Sequence, residues 1–449
     1  MSFGAASGPD AVPPGPVVER TLPTSADVVV IGGGIMGVAS ALFLARAGRS
    51  VAVIEKGRIA GEQSGRNWGW IRQQARDVDE LPLMIESNRI WRTAERDLGA
   101  DIEWTQGGNL ALARDPVRIA FFKEWLAVAR EAGLDSRLLT PSDVSAVLPE
   151  VHGRWKGAMF TPSDGHAEPT KATWAFARAA ERAGATIIEG CAVDRITVER
   201  GRVTGVSTER GVIRARHVIC AAGVWSARLL RGVGIDLPVR IVRATVASTT
   251  PIDPLTEIAV GYHPVVSLRQ RRDGTLYIAA SGGDHDVTLQ SFRHLRMFLP
   301  NYVKNRRMLR VHVGRPLGRD VTNAVLRRRR HRLPWRTQRV LAPSASEEQV
   351  RKSVVEFQKM FPDLEFEVAH TWAGYIDSTP DAVPVIDLLD RPAGLVIATG
   401  FSGHGFGMGP IVGRVITELV VDGNSSFDLS AFRLSRFADG SYKKPRLVS

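Results

Sequence analysis

A chain of 449 residues with 44% apolar and 24% charged side chains has ample material for a large core, which excludes a small stapled scaffold and global disorder. Its two cysteines, Cys191 and Cys220, exclude a disulfide framework and a four-cysteine zinc site; no metal is expected, and the low count fits a reducing, cytoplasmic setting. The net charge of +12 is local, because Phe292 to Val340 holds fifteen Lys or Arg against one acid, Asp320, so a nucleic-acid-binding body is excluded while a local anionic partner is not.

Residues 1–24, with Pro9, Pro13, Pro14, Pro16 and Pro23 and no basic start of a signal peptide, read as a disordered leader. Val28 to Ala45 then runs eighteen residues without a charge, the length of a membrane span. Its glycines argue for another reading. Val28 to Ile31 is a β-branched run, Ile35 to Arg46 is helix-like and Ser50 to Ile54 is a second strand, with Gly32-x-Gly34-x-x-Gly37 at the first turn and Glu55 closing the second strand. Such a β-α-β unit lets backbone approach a pyrophosphate at a helix N-terminus, and the acid can accept from ribose hydroxyls. The unit alone leaves FAD and NAD both open.

Further along, Asn109 to Ala113 reads as a strand, Pro116 to Ala132 and Thr170 to Ala183 as helices, and Thr186 to Ile188 as a strand. Strands follow at Ala192 to Thr197, Val203 to Thr208, His217 to Ala221, Arg240 to Ala247, Val265 to Arg269 and Leu276 to Ala280, the last two joined by an Asp273-Gly274 turn. Leu295, Phe298, Leu299 and Tyr302 beside Arg293, Arg296 and Lys304 make an amphipathic helix in the basic segment. Glu347 to Met360 is a helix, Leu395 to Ala398 a buried strand, and a last helix is expected from about Pro410 to Val421.

The loop Glu55 to Trp70, the segment Val218 to Ser226 and the turn Ala398 to Gly407 together resemble the FAD-dependent D-amino acid oxidase, glycine oxidase and sarcosine oxidase superfamily, over about residues 26–435. Within it, Lys56 to Arg66, the basic insertion before Glu347 and the ending Phe427 to Phe437 are most similar to bacterial membrane-associated L-amino acid deaminases. The resemblance implies an α/β fold (α+β overall): a discontinuous Rossmann-like FAD domain at 25–100, 166–236 and 370–436, and an interleaved substrate domain at 101–165 and 237–369. That second domain is expected on a mixed, largely antiparallel sheet, with the basic insertion at about 288–343 and a tail at 437–449. Non-covalent FAD is implied, since Gly374 stands where sarcosine oxidases carry their tethering cysteine. Its contacts are expected first at Gly32, Gly34, Ile35, Met36, Gly37, Glu55 and Lys56. Gln63, Ser64, Gly65, Arg66 and Val193 follow along the loop and beyond, then Ala222, Gly223 and Trp225, then Gly374, Gly403, His404 and Gly405.

For the substrate, the resemblance points to Arg269 as the carboxylate anchor, because Ile376 and Gly407 occupy the positions used by glycine and sarcosine oxidases; Arg72 is the second choice. His404 is expected beside the flavin, either in the site or satisfying its turn. Asp377 could meet a substrate ammonium or cap a turn, and Gln73, Gln74, Tyr375, Trp68 and Trp70 complete the expected pocket. The implied reaction is oxidation of an amino acid C–N bond by hydride transfer to flavin N5, giving an imine that hydrolyses to a 2-oxo acid and ammonia. Two other readings stay open: oxidation of a secondary or N-substituted amine, sarcosine-, proline- or opine-like, and a non-catalytic flavoprotein that docks a partner. The basic segment 292–340 reads as a peripheral module at the inner face of the membrane, as a docking site for an electron acceptor, or as a solvated insertion; oligomeric state has no signal in the sequence.

Overall fold

A computed structural model of the chain describes residues 20–305, 308–314, 317–318, 322 and 334–443. The strand β1 (Ser25–Ile31), the helix α1 (Ile35–Arg46) and the strand β2 (Val51–Ile54) form the expected opening unit. β1 pairs in parallel with β2 on one side and with Gly211–Cys220 on the other, so that Val30 faces both Val53 and Ile219. Thr186–Ile188 extends this sheet beyond β2, and Leu395–Thr399 followed by the antiparallel Val385–Leu389 extends it at the other edge. All four residues of β2 are buried, as a sheet covered by helices on its faces requires.

The run from Val28 to Ala45 is therefore strand, turn and helix, and no helix among the described residues is long and apolar enough to cross a membrane. Ten of the twelve residues of α1 are buried. It packs against the helices Pro169–Arg182 and Gly405–Val421, and a Cβ on Gly413 would lie 2.7 Å from the Ala39 backbone. The last helix starts at Gly405, not Pro410 as the sequence suggests. Proline favours a first turn, but Pro410 here lies about one and a half turns in. Burial of Phe406 and Met408 ahead of it and of Ile411, Val412 and Val415 after it outweighs the one lost backbone bond.

A helix that the sequence reading did not anticipate, α2 (Leu81–Leu98), buries Leu83, Met84, Ser87, Trp91, Ala94 and Leu98 at helical spacing and ends on Gly99 at φ +60°. The second sheet has ten strands among the described residues and is largely antiparallel. Its strand Arg240–Thr249 pairs along its length with Val368–Ser378, so residues 370–378, grouped by sequence with the FAD domain, hydrogen-bond into the other sheet. Their far end reaches back: Ser378 bridges to Phe401. This strand carries Gly374, Tyr375 and Asp377 into the cleft between the two sheets.

Part of the basic segment, including Arg327 to Arg330, lies outside the described residues. Four of its described arginines have carboxylate partners in the fold: Arg293 holds Asp236 and Arg310 holds Asp284, each at 3.0 Å, while Arg336 holds Asp194 and Arg339 holds Glu209, with Nε and Nη2 contacts of 2.7 and 2.8 Å. The amphipathic helix Leu295–Asn305 is present, burying Phe298 and leaving Leu295, Leu299 and Tyr302 exposed.

Candidate active site

One cavity of about 560 Å³ runs from the β1–α1 turn to the second sheet. Its dinucleotide end is built by glycines. Gly32 sits at φ +112°, and a Cβ there would lie 2.5 Å from the Ala221 carbonyl oxygen. Gly34, the N-cap of α1, offers no side-chain cap; the Ile35 amide donates to Ser64 Oγ at 2.9 Å. Glu55 accepts from the amides of Gly33 (2.8 Å) and Gly57 (2.6 Å), while burial pushes its carboxyl up to about 7 against those donors. A bare helix N-terminus, a close backbone approach and an acid at the end of β2 fit the diphosphate and ribose of FAD.

Of the expected cofactor residues, all but Gly37 and Gly65 line this cavity. Those two stand behind its wall, where a Cβ would lie 1.9 Å from Gly32 O and 2.2 Å from Ala60 O respectively. Lys56 is turned away to Glu62 and lies 4.8 Å over the Trp225 ring. Neither cysteine lines the cavity; both are fully buried elsewhere, so its described wall presents no cysteine thiol for a thioether tether.

Asp377 is spent on structure. Its Oδ1 accepts from Gln63 Nε2 at 2.8 Å, and its Oδ2 from Thr399 Oγ1 (2.9 Å) and the Gly400 amide (2.7 Å), tying the Gln63 loop and the Gly400 turn to this strand. It caps a turn, and both of its oxygens are already engaged in doing so. Gln73 also turns from the cavity, to Ser163 and Asp164. Gln74 lines it, with Nε2 held by Asn109 O, Met159 O and Thr161 Oγ1 at 3.0–3.2 Å. Tyr375, Trp68 and Trp70 line it too, the two tryptophans edge to face at 5.1 Å.

Arg269 does not reach the cavity. It is 1% exposed, with Nη2 on Glu168 Oε1 at 2.6 Å, Nη1 on His166 Nδ1 at 3.2 Å and its guanidinium 4.9 Å from the Tyr277 ring. Glu168 also pairs with Arg271. The carboxylate that Arg269 was expected to grip is thus supplied by the chain itself. Ser267, two residues earlier on the same strand, does line the cavity.

Arg72 is the arginine of the two that the cavity receives. Its Nη1 donates to the Gln74 carbonyl at 3.0 Å, it lies 5.9 Å from the Trp70 ring, and it has no ion pair among the described residues. Burial and the neighbouring Arg76 push it down to about 9, which leaves it charged at neutral pH.

His404, the N-cap of the last helix, faces Glu80, which the sequence reading missed. Its Nδ1 lies 3.1 Å from Glu80 Oε2. Burial pushes Glu80 up, but His404, Arg76 and Arg72 outweigh it and hold the carboxyl below its ordinary range. Burial, then Arg76, holds His404 below its own ordinary value. The pair is therefore a carboxylate accepting from the Nδ1–H of a neutral imidazole, with Nε2 left as acceptor. In Glu80→Gln the anion that favours imidazolium is gone, so the His404 titration followed by NMR is expected to move to lower pH; an unchanged or higher titration point would contradict this pairing.

Residues 27–419 match the family model described as DAO, FAD dependent oxidoreductase. Over 426 residues the chain is 26% identical to sarcosine oxidase subunit beta of Arthrobacter sp, covering 93% of this chain and 92% of that protein. It is 31% identical over 241 residues to mitochondrial sarcosine dehydrogenase of Mus musculus, a match that spans 52% of this chain and only 26% of that longer protein. The solved L-amino acid deaminase from Proteus myxofaciens superposes with a TM-score of 0.88 at 27% identity, covering 93% of this chain and 95% of that one.

Proposed function

The chain belongs to the DAO family of FAD dependent oxidoreductases, enzymes of amine and amino acid oxidation, and within that chemistry we propose that it deaminates an amino acid to a 2-oxo acid and ammonia. Bound FAD supplies the hydride acceptor. Gly32 to Met36 and Glu55 would hold its diphosphate and ribose, and Gly374, Tyr375 and Gly403 to Gly405 its ring.

The observation that supports an amino acid most is Arg72: a charged guanidinium on the cavity wall, fixed by its own loop and without an ion pair among the described residues. A carboxylate held there is oriented by a fork that matches its geometry. The His404 Nε2, kept unprotonated by burial and by the tautomer that Glu80 selects, can accept the proton that an ammonium must lose before its nitrogen lone pair is free. The buried walls around these groups exclude bulk water from the reacting carbon.

The Trp68–Trp70 pair supports a second reading, since an edge-to-face aromatic wall can also receive an N-alkyl group. Product analysis with an artificial electron acceptor separates the two. Ammonia and 2-oxo acid in equal amounts are expected; release of a primary amine from an N-substituted substrate, with no turnover of primary amino acids, would replace the first reading by the second.

A further inference from the structure

Besides Arg72, the substrate end of the cavity is lined by Arg76 and Arg118. None of the three has an ion pair among the described residues, and Arg72 is depressed by both Arg76 and Arg118. Arg76 is 3% exposed, its Nε donates to the Arg72 carbonyl at 3.1 Å, and its Nη1 is buried with no partner. Arg118 lies over the Phe121 and Phe122 rings at 4.8 and 5.2 Å, and its Nε is likewise buried without a partner. The acids that line the cavity, Glu55, Glu62 and Asp377, belong to its dinucleotide half and are taken by Gly33 and Gly57, by Trp225 and Leu341, and by Gln63, Thr399 and Gly400. The other carboxylates near them are Glu80, committed to His404, Asp164, which accepts from the Gln73 and Gln74 amides, and the exposed Asp115, which caps the helix of Arg118.

Resting on the amino-acid reading above, we propose that the substrate is acidic: an amino acid with a second carboxylate, placed against Arg76 and Arg118 while Arg72 holds the first. With Asp115 solvated at the surface, three guanidiniums against the two buried carboxylates Glu80 and Asp164 leave one positive charge among the buried groups of this wall. A neutral amino acid arrives as a zwitterion of zero net charge and leaves that excess standing. An acidic one carries one net negative charge and balances it, and its second carboxylate can pair with the guanidiniums of Arg76 and Arg118, which have no ion pair among the described residues. These two side chains, each also carrying one buried N–H without a partner, line the cavity from two separate segments of chain.

The test uses the FAD-loaded full chain and two ligands that cannot be oxidised, glutarate and pentanoate, which share a five-carbon chain and differ by one carboxylate. Binding is read from the perturbation of the flavin absorbance. Glutarate is expected to bind about 10-fold tighter or more, with the ratio falling toward one in Arg118→Gln and partly restored in Arg118→Lys. Equal affinities in the wild-type protein, or a preference that survives Arg118→Gln, overturns the proposal. In parallel, anaerobic flavin reduction by glutamate is compared with glutamine. Reduction by neutral amino acids together with a ratio of one defeats the acidic substrate alone. A flavin that no amino acid reduces defeats the deamination reading, and the glutarate ratio still decides the charge preference of the wall.

Discussion

In Arg72→Ala, kcat/KM for flavin reduction by an amino acid is expected to fall about 100-fold, or roughly 3 kcal/mol, the usual cost of truncating one member of a desolvated, hydrogen-bonded charge pair. The wild-type guanidinium is preorganised: Nη1 is fixed on the Gln74 carbonyl and its carbon lies 5.9 Å from the Trp70 ring centre, so little rotamer freedom is lost when a carboxylate docks. FAD content per folded protein is expected to stay at the wild-type level, because Arg72 sits at the far end of the cavity from Gly32 and Glu55. Arg72→Lys keeps the charge and loses the fork, so an intermediate loss is expected. An alanine variant with unchanged kcat/KM would remove Arg72 from substrate binding.

Arg269→Ala is expected to act on the fold. Its partner Glu168 is 2% exposed and would keep a buried charge with Arg271 as its remaining ion-pair partner among the described residues, and breaking a buried pair costs about 3 kcal/mol or more. The denaturation midpoint should drop accordingly. Glu168→Gln added to Arg269→Ala should recover part of that loss, the two changes being strongly non-additive. The sign of the pH dependence follows from Glu168, which burial pushes up but which Arg269 and Arg271 hold below the ordinary carboxylate range. Its contribution is present above the unfolded value and is lost as pH falls through the folded one. A variant of full stability that has selectively lost carboxylate binding would instead return Arg269 to the site.

The difference between these two arginines shows what a sequence can and cannot disclose. The dinucleotide half is legible because its chemistry is local: Gly32, Gly34, Gly37 and Glu55 act through backbone shape within a single β-α-β unit, and periodicity alone recovers strands such as Asn109–Ala113 and Leu276–Ala280 to the residue. The substrate half depends on who meets whom across the chain. Arg269 is neutralised by a glutamate 101 residues earlier, and no local signal announces that. Glu80, one residue before α2, finds His404 324 residues away. Arg118 sits in the first turn of the helix Pro116–Glu131, where arginines are ordinarily solvated, and only the fold turns its guanidinium into the cavity. A usable signal did exist for Arg76, four residues after Arg72 in a loop already assigned to the pocket.

The strand Val368–Ser378 carries a related lesson. Its sequence resembles a flavin-contacting segment, and Gly374 and Tyr375 do line the cavity, yet its hydrogen bonds belong to the second sheet. A strand can deliver residues to one domain while being held by the other, which is how the cleft keeps both of its walls in register. Asp377, at the end of that strand, then fastens the loop of Gln63 and the turn at Gly400.

Anaerobic titration of the FAD-loaded protein with amino acids and N-substituted amines, followed by absorbance, bears most directly on this account. Loss of the oxidised-flavin band on adding a primary amino acid, more readily for acidic than for neutral ones, is the predicted result. A well-folded protein that takes up no FAD, or that holds FAD whose band none of these compounds diminishes, would contradict it.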